Sequence, residues 1–350
     1  MHPFRKLLLI ALGRESSFRK TPSRGDWDLM LKMARYQALV GVCYEGIQLL
    51  PEEQLPPLDI LELWSRMAGK VAEIYRLHEQ RVAELEGILE GLGLHACLLK
   101  GTVLSHLYPK PESRMCGDID IWVEGTHDSI LKALKPACPV RGILYQECKA
   151  DFFDDVEVEV HFHPTKMYNP FLNARLQKYL TKHSPIHHGQ ALAVPGTRFN
   201  AVYCMAHMFH HYLEGGLGMR QMMDYYYILR VLDPAKRPRV MRALRSLGMG
   251  RFTAAMMEAL RFCFGLEPQY LLCEPDSKRG RRLMTDAVNG GNFGVLDQRN
   301  QASSSETRLH RFFRKTARVW SYLIDYPREV IWAPYARLKH YLWRLFKGYL

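Results

Sequence analysis

No Cys-x-x-Cys pair occurs in the chain; Cys43, Cys97, Cys116, Cys138, Cys148, Cys204, Cys263 and Cys273 are scattered singly. That pattern excludes a structural zinc site and a disulfide framework, and fits a reducing, cytoplasmic location. No stretch approaches the roughly 18 apolar residues that a membrane-spanning helix requires. The nearest imitation of a targeting segment is the N-terminus, MHPFRKLLLIALGRESS, where Arg5 and Lys6 precede an apolar run. The run Leu7–Leu12 is only six residues, shorter than a secretory core, and no small-residue cleavage site follows. It reads as an amphipathic first helix. No internal repeat is evident, and nothing marks the extra nucleic-acid-binding domains of a template-dependent polymerase. Hydrophobic residues at 47% and charged residues at 24% are ordinary for a globular protein, and 350 residues suffice for one large or two modest domains.

The excess of positive charge is unevenly placed. From Arg308 to the end there are ten Lys/Arg against Asp325 and Glu329, a net +8 of the chain's +12. This tail interleaves its cations with Trp320, Trp332, Trp343 and several Tyr and Phe. Basic amphipathic helices of that kind lie on anionic membrane surfaces or grip nucleic acid. The alternative is a packing helix with one solvated basic side.

The chemistry concentrates in Leu98–Glu124, LLKGTVLSHLYPKPESRMCGDIDIWVE. An apolar run leads into the turn Lys100-Gly101-Thr102, then a helix-like segment, then Asp118-Ile119-Asp120-Ile121-Trp122-Val123. Side chains alternate along a strand, so Asp118 and Asp120 project together while Ile119 and Ile121 face the core. Paired carboxylates repel unless a cation lies between them, and magnesium, which takes oxygen ligands, suits that position. A third acid lies about forty residues on, in Asp154–Pro164 (DDVEVEVHFHP), whose strict alternation marks a strand with one buried face. With that strand beside the first, Glu159 completes a three-carboxylate cluster for one or two Mg2+ ions and in-line displacement at phosphorus.

This order of elements resembles the polymerase beta-like nucleotidyltransferase superfamily, with its Gly-Ser turn, helix, Asp-x-Asp strand and later single acid. More narrowly it resembles an uncharacterised bacterial nucleotidyltransferase family with Lys-Gly in the turn, over roughly residues 30–270. Its motifs are read here as Lys100-Gly101, Arg114, Asp118-x-Asp120, Glu159-Val160-His161, and an Arg-x-x-x-Asp helix carried by Arg220 and Asp224. Thr102 stands where the superfamily has Ser. The resemblance implies an α+β fold, a mixed-sheet core flanked by helical regions, and a magnesium-dependent enzyme moving an NMP from an NTP, ATP among the candidates, with pyrophosphate leaving. Asp118, Asp120 and Glu159 would be catalytic and metal-binding. Lys100, Gly101, Thr102 and Arg114 would hold the nucleotide, and Glu157, His161, His207, Arg220 and Asp224 would support them. Glu157 shares a strand face with Glu159 and stays a rival third acid. The acceptor stays open among a sugar phosphate, a protein and RNA. The opposing reading is a catalytically impaired scaffold that reaches a membrane surface or nucleic acid through residues 308–350, which would make it peripheral on the membrane.

Apolar periodicity divides the chain into a helical region at 1–94, a strand-and-helix core at 95–197, which the resemblance implies is the nucleotidyltransferase core, and a helical domain at 198–289. The Gly/Ser-rich stretch 290–306 reads as a linker, and 307–350 as the basic helical tail. Within the core, Thr126–Leu134 reads as a helix, Ile143–Glu147 as a strand and Ala191–Val194 as an edge strand. His207, His210 and His211 share a helix face but lack a third zinc-ligand signature, so they read as core or supporting histidines.

Overall fold

Apolar residues at three- and four-residue spacing build the N-terminal helices. A computed structural model describes residues 3–186, 189–300 and 307–349. Helix α1 (Pro3–Ala11) buries Phe4, Leu7, Leu8 and Ile10, so the run that imitates a signal sequence is a core element. Helices α2 (Arg24–Tyr36), α3 (Val40–Gln48) and α4 (Leu58–Gly91) follow. Asp26–Leu50, which reads as one helical stretch, breaks at Gln37–Leu39, where Ala38 takes a left-handed φ of 56°. Gln37 accounts for the break. Its amide donates to the Ala287 carbonyl at 3.0 Å and accepts from the Met219 N–H at 2.9 Å, tying this break to residues much later in the chain.

The central sheet is assembled from β1 (Ala96–Leu99), β2 (Ile119–Val123), β3 (Val140–Arg141), β4 (Glu147–Ala150), β5 (Val158–His161) and β6 (Leu192–Ala193). Helices α5 (Gly101–Ser105), α6 (His127–Leu134) and α7 (Pro170–Lys182) lie between them in sequence. The strand order is β3-β4-β5-β2-β1-β6. β2–β5 and β1–β6 run parallel and the other pairs antiparallel, so the sheet is mixed and the fold is α+β. The strand expected at Ile143–Glu147 begins at Glu147 instead, because Cys148 and Ala150 are the residues that alternate into the core.

Period-two patterning decides which face is which. Ile119, Ile121, Val158, Val160 and Cys148 pack with Leu85 and Leu89 of α4 and Ile130 and Leu134 of α6. The opposite face carries Trp122, Asp120, Glu159 and His161. Trp122 stacks on Phe199 of α8 (Thr197–Glu214), with ring centroids 6.4 Å apart, so the α8 side is covered beyond the carboxylates. Helices α9 (Met219–Val231), α10 (Arg237–Ser246), α11 (Gly250–Phe264) and α12 (Ser277–Gly290) complete the second core.

Residues 290–300, read as part of a linker, are packed rather than extended. A Cβ on Gly294 would collide with the Gly215 carbonyl, so this segment closes on the end of α8 only because it carries glycine there. Asn300 also donates to Gly215, and Arg299 pairs with Asp286 at 2.9 Å. Residues 301–306 of that stretch lie outside the described residues. The tail forms α13 (Arg308–Trp320), α14 (Pro327–Val330) and α15 (Ala333–Lys347). Val319, Tyr322, Tyr326 and Val330 are buried in the main core, Arg318 pairs with Asp297, and Glu329 accepts from the Tyr168 and Asn169 N–H groups. The tail is thus integral to the body. Among the described residues no helix is long and apolar enough to cross a membrane.

Candidate active site

β2 and β5 run side by side in register, with Asp120 opposite Glu159 and Trp122 opposite His161. Parallel pairing with matched alternation therefore puts both acids and the histidine on one face. Asp120, Glu159 and His161 each present a ligand atom within 4.8 Å of the others, a set able to hold a metal ion. Asp118 sits one residue before β2. It lines the same cavity, of about 500 Å³, without joining that group of three. His161, expected only in support, is thus placed among the potential ligands.

Lys100 follows β1 directly and reaches Asp120, with Nζ 3.0 Å from Oδ1 and 3.3 Å from His207 Nε2. The imidazole of His161 meets the same Asp120 oxygen at 2.7 Å. Burial alone would raise the Asp120 pKa, but Lys100 and His161 outweigh it and hold the carboxyl well below its ordinary value. Asp118 moves the other way, raised first by the Asp120 charge and then by burial. Burial, followed by Asp120 and Asp118, pushes Glu159 up to about 7. The carboxylates of Asp118, Asp120 and Glu159 supply oxygen donors of the kind magnesium takes, and repulsion on Asp118 and Glu159 is the part a divalent cation would relieve.

Glu157 and Glu159 part company here. Lys149 on β4 takes Glu157 at 2.5 Å, with Arg141 at 3.7 Å, whereas the same ammonium is 4.0 Å from Glu159. Glu157 is therefore neutralised at the rim while Glu159 turns to Asp120. Lys149 itself gives no signal in the sequence until its alternation on β4 is known.

Arg114 differs from expectation. It is buried and forks onto Asp224 at 2.7 and 2.9 Å, with Tyr108 donating to the same carboxylate at 2.7 Å. Its Nε and Nη2 edge fastens the loop before β2 to α9, and the residue also lines the carboxylate cavity. Asp224 is correspondingly taken by Arg114, not by Arg220 one turn away. Arg220 instead donates to the Met115 carbonyl at 2.7 Å, lines the cavity, and has its pKa lowered by burial and then by Arg114. Arg220 and Arg114 thus both line the cavity, beside Lys100. Thr102 is buried and does not line the cavity, while Lys100 and Gly101 do.

His207 and His211 cover the acids from α8, their rings 4.3 Å apart. Burial, then Lys100, pushes His207 far below its ordinary value and His211 to about 4, so both are neutral. Backbone strain also converges here. Among the described residues the non-glycine positions with positive φ are Ala38 (56°), Lys100 (49°) and Phe293 (53°), and all three line this cavity. Such conformations cost roughly 1–3 kcal/mol each and persist where function uses them.

Residues 23–265 match the family described as uncharacterised nucleotidyltransferase. The chain belongs to this family. No curated protein and no solved structure matches it. Membership places the chain among nucleotidyltransferases, and the matched segment contains β1, β2, β5, α8 and α9, which, with their adjoining residues, line most of the carboxylate cavity. α1, α12 and the tail lie outside it.

Proposed function

We propose that the protein transfers a nucleoside monophosphate from an NTP to an acceptor hydroxyl, phosphate or amine, releasing pyrophosphate. The observation that carries this reading is the in-register pairing of Asp120 with Glu159 inside a cavity that also holds Asp118, Lys100 and Arg220. Asp118, Asp120 and Glu159 would hold magnesium, with His161 orienting Asp120. When bound, the ion supplies charge neutralisation at the phosphates.

The chain's own residues account for the remaining steps. The Gly101 backbone allows close approach of the triphosphate, and Lys100 and Arg220 bring positive charge to the leaving pyrophosphate. An acceptor oxygen or nitrogen donates its lone pair to the α-phosphorus, the bond from that phosphorus to the bridging oxygen breaks, and pyrophosphate departs with the electron pair. The acceptor's proton passes to the Glu159 carboxylate. Neutral His207 and His211 roof the acids with low-charge, hydrogen-bonding side chains.

The test is incubation with each α-labelled NTP, magnesium and cell extract. Transfer of label into one acceptor class, lost in Asp120→Asn, is the expected result. An unlabelled extract with every NTP, despite intact folding, would favour the non-catalytic scaffold.

A further inference from the structure

A second cavity, of about 550 Å³, lies between the tail helices and the body. Gln146 and His210 line it, while their chain neighbours Glu147 and His211 line the carboxylate cavity. The start of β4 and the C-terminal turn of α8 are therefore a wall common to both. The opposite wall comes from α13 and α15, which follow the segment matched to the family.

The charge of this second cavity is lopsided. Lys166, Arg311, Lys315, Arg337 and Lys339 line it against a single carboxylate, Glu214. That carboxylate is already engaged. Tyr168 donates to it at 2.6 Å, Arg337 at 3.3 Å, and Lys315 lies 3.6 Å away. Lys166 makes no hydrogen bond or ion pair among the described residues, and burial lowers its pKa despite the pull of Glu214. Two buried ring nitrogens, His210 Nδ1 and His340 Nε2, also have no protein partner. Burial keeps His340 neutral, with a pKa of about 4, so its imidazole is able to offer an N–H. Half-buried positive charge with unused donors is costly unless an anion compensates it. The remaining wall is aromatic, with Tyr145, Tyr335 and Tyr341, and Lys339 lies 5.6 Å over the Tyr145 ring.

We infer that this cavity binds a phosphorylated small molecule. Its phosphate would lie between Lys166, Lys315 and His340, where charge-assisted hydrogen bonds are strongest. Its ring would rest on the tyrosine faces, which suit an amphipathic ring such as a sugar. The volume is that of a small-molecule site, and tail helices enclose it.

The experiment is calorimetric titration of the full chain, at low salt and without NTP, with inorganic phosphate, glucose 6-phosphate and, separately, phosphatidic-acid vesicles. Glucose 6-phosphate should bind more tightly than phosphate, and Lys166→Gln and Lys315→Gln should each weaken it roughly tenfold. Magnesium-ATP affinity should be unaltered in both variants. Failure to bind either soluble phosphate, equal affinity in the variants, or binding to vesicles alone would overturn the inference. Loss of the nucleotidyl-transfer reading would show elsewhere, as ATP that neither binds nor responds to Asp120→Asn.

Discussion

Replacing Glu159 by Gln turns the site's electrostatics into a stability measurement. Burial first, then Asp120 and Asp118, raise this carboxyl from 4.5 to about 7, and its side chain is only 20% exposed. The folded protein thus holds the proton more tightly than the unfolded chain. Its contribution to stability is complete below pH 4.5 and is lost as pH rises through about 7. At about 1.4 kcal/mol per tenfold change in proton affinity, full ionisation costs on the order of 3 kcal/mol. Glutamine keeps the shape and never ionises. In EDTA, Glu159→Gln should therefore melt with the wild type near pH 5 and above it at pH 8, by on the order of 5 °C. Magnesium or manganese should close that gap by stabilising only the wild type. Differential scanning fluorimetry from pH 5 to 8 reads both effects. A difference in Tm that does not change with pH would refute the crowding of Glu159 against Asp120. The same variant should lose roughly 10²–10⁴-fold in turnover, since its amide cannot take the acceptor proton.

Asp224→Ala leaves the buried Arg114 guanidinium without its carboxylate and should cost roughly 3–5 kcal/mol in urea unfolding; a wild-type midpoint would show that the fork is not structural. Gly101 has φ +44°, so Gly101→Val forces a branched side chain into the left-handed region at a cost of roughly 1–2 kcal/mol. NTP affinity should fall sharply in that variant, and unchanged affinity would remove the phosphate-turn role. Truncation after Asn289 removes Val319, Tyr322, Tyr326 and Val330 from the core. At roughly 1.5–3 kcal/mol for each side chain, the loss rivals a whole domain's stability of about 5–15 kcal/mol. The shortened chain should lack a cooperative melt, and a native-like transition would return the tail to the status of an appendage.

The sheet's core was legible because period-two alternation is a local signal. Ile119-Asp120-Ile121 and Val158-Glu159-Val160 each declare a buried face and a polar face. Which acids meet is a matter of register, and only pairing of β2 with β5 shows Asp120 opposite Glu159. Lys149 decides between Glu157 and Glu159, yet it lies on a third strand whose start was misjudged, since Ile143 and Leu144 look as strand-like as Cys148 and Ala150. Arg114 carried a family motif, but spacing cannot reveal a partner 110 residues away on α9. The glycines of 290–300 signal freedom in a chain segment, whereas here Gly294 serves close approach to the end of α8. Likewise the tail's basic, aromatic pattern describes its solvent side and is silent on what Val319 and Tyr322 bury against.

The central claim is that Asp120 and Glu159 share a divalent cation beside a bound NTP. Anomalous scattering from crystals grown with manganese and a non-hydrolysable NTP analogue tests it most directly. The account predicts a manganese peak within roughly 2–2.5 Å of oxygens from both carboxylates, with the α-phosphate alongside. Manganese absent from this pair, or bound instead at His207 and His211, would contradict it.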